Sequence, residues 1–548
     1  MKFRSLLIAF LIPLTVSAQK NKSSSATSPL ARPKLVVGIM VDQMRWDFLY
    51  RYYDRYQSGG FKRMLNEGFS AENTNIDYST TVTGIGHATA YTGSVPSIHG
   101  IAGNDFIIQA TGKTLYCTAD STVKTVGSNS NAGQMSPRNM LSSSITDELK
   151  LATNFRSKVI GIALKDRGGI LPAGHTANAA YWFDDATGGW ITSTYYMQEL
   201  PAWVNKLNEQ KLPGKYLKKD WNTLYPINTY IQSSKDDNRY EGKFTGATAS
   251  TFPIKTSGMI NNGVGVIRNT PYGNSFTLDM AKAAIQHENL GNNGVTDFLA
   301  LSFSSPDYIG HQHGPNSIEV EDTYLRLDRD IADLLSYLDE KLGKGNYTTF
   351  LSADHGVAHN PNFMIDNKIP AGFWPTGQIL KDLNAALDKE FKVKNLAISF
   401  SNYQVSLNNA VIADEKINES EIRTFIVNFL KKQPGVAYAL DIDKVESSAV
   451  PKVLKEKIIN AYNRERSGVI QIILKPGYYS GYSATGSTHG SWNPYDSHIP
   501  LVFMGWGIKP GKTYSATGMT DIAATLAALL KIQMPNGSIG QPITEALK

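Results

Sequence analysis

The chain has 548 residues, 41% of them hydrophobic and 19% charged, with a formal charge of +6 and a single cysteine, Cys117. This balance describes a globular protein with a large core, and the length requires more than one lobe or one fold with large insertions. One cysteine excludes an internal disulfide, and so mild a charge gives no footing for nucleic-acid binding.

Residues 1–18, "MKFRSLLIAFLIPLTVSA", set Lys2 and Arg4 ahead of an apolar run that ends in Val16-Ser17-Ala18. This is the pattern of a cleaved secretory signal peptide, and it predicts a periplasmic or secreted mature protein that has lost those two charges. The run is too short to remain as a membrane span, and no later stretch approaches the roughly 20 apolar residues that spanning requires. No cysteine follows the cleavage site to carry a lipid, so no membrane attachment is expected. Residues 19–33, "QKNKSSSATSPLARP", read as a flexible leader.

The fold is predicted to start at Lys34. "KLVVGIMVD" is a continuous apolar run closed by an acid, the pattern of a strand buried on both faces in a parallel sheet. The pattern returns at 158–167 ("KVIGIALKDR"), 297–307 ("DFLALSFSSPD"), 347–356 ("YTTFLSADHG") and 499–507 ("IPLVFMGWG"). Helical segments are predicted between and after these runs, at 275–286, 319–342 and 521–532. Alternating strands and helices make an α/β fold, an open and mostly parallel sheet flanked by helices. Two long segments interrupt this order. Residues 168–275, rich in Tyr and Trp, wall a pocket or pack as a β-rich lobe. Residues 362–480 alternate short strands and helices and suggest a small α+β insertion.

Four of the strand-like runs end in, or just before, groups that bind metal or anion: Asp42, Lys165 with Arg167, Asp307, and Asp354 with His355. Open α/β sheets bind ligands at the carboxyl ends of their strands. Asp307 and His311 are four apart, so a helical turn opened by Pro306 puts both on one face, able to share a metal. Asp354 and His355 are neighbours and reach one site only if the strand ends there, which Gly356 supports. His489 lies in the loop "STHGSWNPYDSHIP". Asp and His ligands suit zinc. The remaining histidines, His87, His99, His175, His287, His313, His359 and His498, are read as structural.

These residues resemble the alkaline phosphatase superfamily of two-metal phosphoesterases. The matching pieces come in the family's order: "MVDQM", "TGIGHATAYTGSVPSIHGIAGND", "PDYIGHQHG", "ADHG" and "STHGS". Within it the chain most resembles the nucleotide pyrophosphatase/phosphodiesterase-like branch, whose nucleophilic threonine stands four residues before a histidine. That rule selects Thr83, four before His87. Local physics points the same way: Thr83 opens a helix of small residues, where exposed N–H groups favour an alkoxide and a bound phosphoryl group. Ser79 and Thr81 lie further back, and Thr89 and Thr92 fall inside the helix, where hydroxyls bond to the backbone. The family's aromatic-Pro-Asn after the nucleophile is Gly84-Ile85-Gly86 here, and the asparagine is found downstream as Asn104.

The resemblance implies two zinc ions, one held by Asp42, Asp354 and His355 together with Thr83, the other by Asp307, His311 and His489. It implies a covalent phosphothreonine, with Asn104, Lys165 and Arg167 on the phosphate oxygens. The Lys-x-Arg element resembles PafA-type secreted alkaline phosphatases, since a monoester carries an extra negative charge that added cations meet. Placed two apart at a strand end, Lys165 and Arg167 are expected to point the same way. The expectation is a monomeric phosphomonoesterase acting on small phosphate monoesters. The rival readings are a phosphodiesterase or nucleotide pyrophosphatase, and a non-catalytic zinc- or phosphate-binding protein. A sulfatase is disfavoured, because no Cys/Ser-x-Pro-x-Arg motif occurs near the nucleophile.

Overall fold

The computed structural model describes residues 30–481 and 483–548. The expected signal peptide and most of the expected leader therefore lie outside the described residues. The central sheet has ten strands, in the spatial order Gly511–Thr513, Phe69–Ala71, Leu501–Gly505, Tyr347–Ser352, Leu35–Val41, Asp297–Phe303, Val159–Ala163, Ala179–Asp184, Gly189–Ser193 and Thr125–Val126. Its middle is parallel: Leu35–Val41 pairs with Asp297–Phe303 on one side and Tyr347–Ser352 on the other, and Val159–Ala163 continues the row.

Every residue of these four strands is buried. Helices cover both faces of a parallel sheet, so such strands need mostly apolar side chains in both directions, and near-continuous apolar runs result. The row's four carboxyl ends deliver Asp354, Asp42, Asp307 and Lys165 to one edge of the sheet.

Two expectations about strands are corrected. Leu501–Gly505 is antiparallel to both its neighbours, Tyr347–Ser352 and Phe69–Ala71; an apolar run reports burial on two faces and not direction. The aromatic segment of 168–275 forms no β-rich lobe. Its strands Ala179–Asp184 and Gly189–Ser193 extend the central sheet and bury Trp182 and Trp190. The rest is short helices and turns, including Ala202–Glu209, Leu212–Leu217 and Val264–Asn269.

A second hydrophobic core, built on Trp374, Leu383, Ile422 and Ile470, is separate from the main one. It lies under a four-stranded sheet in the order Ala397–Ser399, Gln404–Leu407, Ile470–Leu474, Val436–Asp441, whose pairings are antiparallel. Among the described residues no helix is long and apolar enough to cross a membrane.

Candidate active site

Thr83 is the first residue of the helix Thr83–Thr92, entered from extended Val82 with no side-chain cap. All ten residues of this helix are buried, and its first-turn N–H groups are left without partners inside the helix. Two glycines allow the helix to come this close. A Cβ on Gly86 would stand 2.3 Å from the carbonyl oxygen of Asp354, and one on Gly84 would meet Cys117 Sγ at 3.1 Å and Asn104 Oδ1 at 3.2 Å. The Gly84 N–H donates to Asn104 Oδ1 at 2.8 Å, which ties Asn104 to the first turn. An alanine at Gly86 forces the helix of the nucleophile candidate away from Asp354, and overpacking of this kind costs about 1–3 kcal/mol.

The neighbouring threonine hydroxyls are engaged elsewhere, and the Ser79 hydroxyl is buried without a hydrogen-bond partner. Thr81 donates to the Ser491 carbonyl at 2.8 Å, Thr92 to the Ala88 carbonyl at 2.8 Å, and Thr89 shares a hydrogen bond with His99. Among the described residues the Thr83 hydroxyl is met by two cations. Lys165 Nζ lies 3.4 Å and Arg167 Nη2 3.5 Å from its Oγ.

Lys165 and Arg167 do not sit on a strand end. The strand stops at Ala163; Lys165 caps the helix Asp166–Ala173 in extended conformation and Arg167 belongs to its first turn. Both still converge on Thr83: Lys165 at the bend and Arg167 in the first turn each reach its Oγ. Lys165 is almost fully buried, and its ammonium also donates to Asp42 Oδ2 at 2.7 Å and Asp307 Oδ2 at 2.5 Å.

Around these carboxylates the three histidines are preset for a metal. His311 Nδ1 donates to the Ser487 carbonyl at 2.9 Å, His355 Nδ1 to Gly356 at 3.0 Å, and His489 Nδ1 to Thr81 at 2.7 Å. A carbonyl only accepts, so each Nδ1 holds the proton and each Nε2 presents a lone pair. His311 Nε2 and His489 Nε2 lie 3.2 and 3.4 Å from Asp307 Oδ1. His355 Nε2 lies 3.3 Å from Asp354 Oδ2 and 3.6 Å from Asp42 Oδ1, and its ring stacks on His489 at 3.5 Å.

Asp307, His311 and His489 each offer one ligand atom within 4.8 Å of the others, and so do Asp42, Asp307 and His355. Asp354 stands beside the second group: its Oδ1 accepts the N–H groups of Gln43 and His355, leaving Oδ2 free. Gly356 is needed for space, since a Cβ there would meet the Tyr495 carbonyl at 2.2 Å; the strand itself ends earlier, at Ser352.

The donor set fits divalent metal. Asp42 Oδ1, Asp354 Oδ2 and His355 Nε2 are buried without a hydrogen-bond partner, an arrangement that costs free energy unless a cation lies between them. Charge agrees. Burial, with the Asp354 and Asp307 charges, pushes Asp42 well above the carboxylate range against the pull of Lys165. Burial also raises Asp307 and Asp354, but the neighbouring histidines and Lys165 outweigh it and hold both below. His355 is pushed down by burial to about 3, which keeps it neutral and ligating. Three carboxylates facing one buried lysine leave a surplus of negative charge that divalent ions neutralise.

Sequence reasoning missed Gln43. Its backbone is left-handed, with φ 68°, and its side-chain amide donates to Asp307 Oδ1 at 2.6 Å while its N–H donates to Asp354 Oδ1 at 3.1 Å. Gly310 makes room for it, as a Cβ there would stand 1.8 Å from Gln43 Oε1. Its only sequence signal is adjacency to Asp42. Gln43→Gly removes the amide and keeps the backbone unstrained, and metal affinity should drop about 10- to 100-fold, read by titration against a competing chelator. Unchanged affinity would mean that Gln43 does not orient the carboxylates.

His87, read as structural, does lie against the site: it bonds the Thr83 carbonyl and Ser302 Oγ and stands 3.4 Å from Asp354 Oδ2.

The sequence profile described as type I phosphodiesterase / nucleotide pyrophosphatase matches residues 36–496. A Myroides odoratus protein named calcium-transporting ATPase is 60% identical over 527 residues, 95% of this chain and 96% of that protein. Alkaline phosphatase PafA of Elizabethkingia meningoseptica is 54% identical over 523 residues, again 95% and 96%. The crystal structure of wild-type PafA matches with a TM-score of 0.93, covering 95% of this chain and all of that one.

Proposed function

Because the chain belongs to the type I phosphodiesterase / nucleotide pyrophosphatase family, we propose that it is the phosphomonoester-hydrolysing kind of member, an alkaline phosphatase that releases inorganic phosphate from small phosphate monoesters. The observation that carries this is the pair of cations, Lys165 and Arg167, 3.4 and 3.5 Å from one threonine hydroxyl beside two metal-ligand groups. The similarity to PafA, an alkaline phosphatase by name, supports it.

Thr83 is the nucleophile in this reading. Its oxygen attacks phosphorus as the bond to the ester oxygen breaks, and a phosphothreonine forms while the leaving group departs and takes up a proton. Water then cleaves the phosphothreonine, restores the hydroxyl and releases phosphate. Lys165 and Arg167 hold the non-bridging oxygens, with the Asn104 amide as a third donor. Asp42, Asp354 and His355 would hold one zinc ion, Asp307, His311 and His489 the other; bound there, the metals lower the pKa of the Thr83 hydroxyl and neutralise charge on the leaving oxygen. The N-terminal "MKFRSLLIAFLIPLTVSA" supports secretion or a periplasmic location.

The name of the Myroides relative speaks of ATP hydrolysis coupled to transport. Terminal phosphoryl transfer from ATP uses the chemistry described above. Among the described residues no helix is long and apolar enough to cross a membrane.

The test is initial rates on matched aryl phosphate monoester and diester with the zinc-loaded protein. A large monoester preference supports the phosphatase reading. A diester preference transfers the chain to the phosphodiesterase activity of its family, and no turnover of either leaves a metal- or phosphate-binding protein.

A further inference from the structure

Arg167 is useful to a phosphate only if its guanidinium is held toward Thr83 and keeps its charge. Among the described residues its hydrogen bonds run to the Tyr116 hydroxyl, 3.0 Å from Nη1, and to Thr83 Oγ; Nε is buried and unpartnered, and no carboxylate contacts the guanidinium directly. Tyr116 is fixed in turn. Its O–H donates to Asp166 Oδ1 at 2.8 Å, and Thr118 donates to Asp166 Oδ2 at 2.5 Å. A phenol has one proton; with that proton committed to Asp166, its lone pair is turned to accept from Arg167.

The supporting element is the hairpin Asp105–Ile108 / Lys113–Tyr116, in which Asp105 pairs with Tyr116. Its base is closed by the Cys117 N–H donating to the Asn104 carbonyl at 2.8 Å. One hairpin thus holds Asn104 against the nucleophile helix and Tyr116 against Arg167.

We propose that Tyr116, oriented by Asp166, is the positioning residue that aims Arg167 at the phosphoryl group and so sets the enzyme's preference for monoesters. A carboxylate paired directly with Arg167 would cancel the charge that the substrate needs. The phenol between them fixes the geometry and leaves the guanidinium free to bind phosphate in its fork. Burial and the Asp166 charge push the Tyr116 phenol well above its ordinary range, so it stays a donor in alkaline solution.

This rests on the phosphatase reading, and a double-mutant cycle separates the two. Tyr116→Phe, nearly isosteric, is compared with Arg167→Ala and with the double variant in the zinc-loaded full chain. The readouts are kcat/KM for aryl monoester and diester, and inhibition by inorganic phosphate. Tyr116→Phe should lower monoester kcat/KM about 10-fold, on the scale of lost outer-shell partners, weaken inhibition by phosphate, and spare the diester. In the Arg167→Ala background the same change should cost nothing further. An equal loss in that background, or parallel loss on both esters, overturns the positioning role. An impaired Arg167→Ala protein beside an intact Tyr116→Phe protein overturns it as well and leaves the phosphatase reading standing. A fully active Arg167→Ala protein refutes the use of Arg167 itself.

Discussion

Thr83→Ala should lose turnover of phosphate monoesters by at least about 10⁴-fold, the scale seen when a covalent nucleophile is removed, while the protein stays folded and metal-loaded. The hydroxyl's contacts are two long ones to cations, at 3.4 and 3.5 Å, so its deletion leaves no short hydrogen bond unmade. Alanine also suits a helix's first turn. The metal-ligand groups are on other segments: Asp307 and His311 on the helix Ser305–His313, the rest after strand ends or in the 489 loop. Metal content should therefore match the wild type. Thr83→Ser keeps an oxygen at the same place and should retain measurable turnover. Acid quenching with labelled substrate should leave label on the wild type and on Thr83→Ser, and none on Thr83→Ala. Label retained on Thr83→Ala would move the nucleophile elsewhere; rapid turnover without label in any variant would favour direct attack by water.

Lys165→Ala combined with Arg167→Ala should cut monoester hydrolysis by about 10³-fold or more and leave diester hydrolysis much less affected. A monoester dianion carries one more negative charge on its non-bridging oxygens than a diester. A unit charge about 4 Å from another is worth about 4 kcal/mol at an effective dielectric near 20, and single donors at such sites are worth about 10²–10³ in rate. Both cations lie within 3.5 Å of Thr83 Oγ, so their loss should fall on the extra charge of a phosphoryl group bound there.

Lys165 has a second duty that must be separated from the first. It bonds Asp42 and Asp307, and its removal makes the metal-ligand carboxylates more negative, which should strengthen metal binding. Arg167→Ala touches no carboxylate directly and isolates the phosphate term. If the double variant loses both activities equally, the cations serve the nucleophile or the metal centre and do not select the monoester. If it gains on the diester, they act against the second ester group.

The pattern of residues along the chain determined a good deal by itself. Largely apolar runs at 35–41, 159–163, 297–303 and 347–352 announce strands covered on both faces, and the polar residues that close them mark the sheet's carboxyl edge. The four-residue spacing of Asp307 and His311 and the small residues after Thr83 encode local geometry directly, since a helix converts spacing into facing. What the sequence left open depends on contacts between distant segments. Strand direction at Leu501–Gly505 is set by pairing partners, not by the run's own composition. The proton on each histidine is placed by backbone carbonyls of Ser487, Gly356 and Thr81, groups that every residue carries and no letter distinguishes. Gln43 depends on a left-handed backbone and on space kept open by Gly310. The Tyr116–Asp166–Arg167 chain joins segments about 50 residues apart. Local chemistry is written in neighbouring letters; long-range packing alone decides which carboxylate shares a cation and which phenol steadies an arginine.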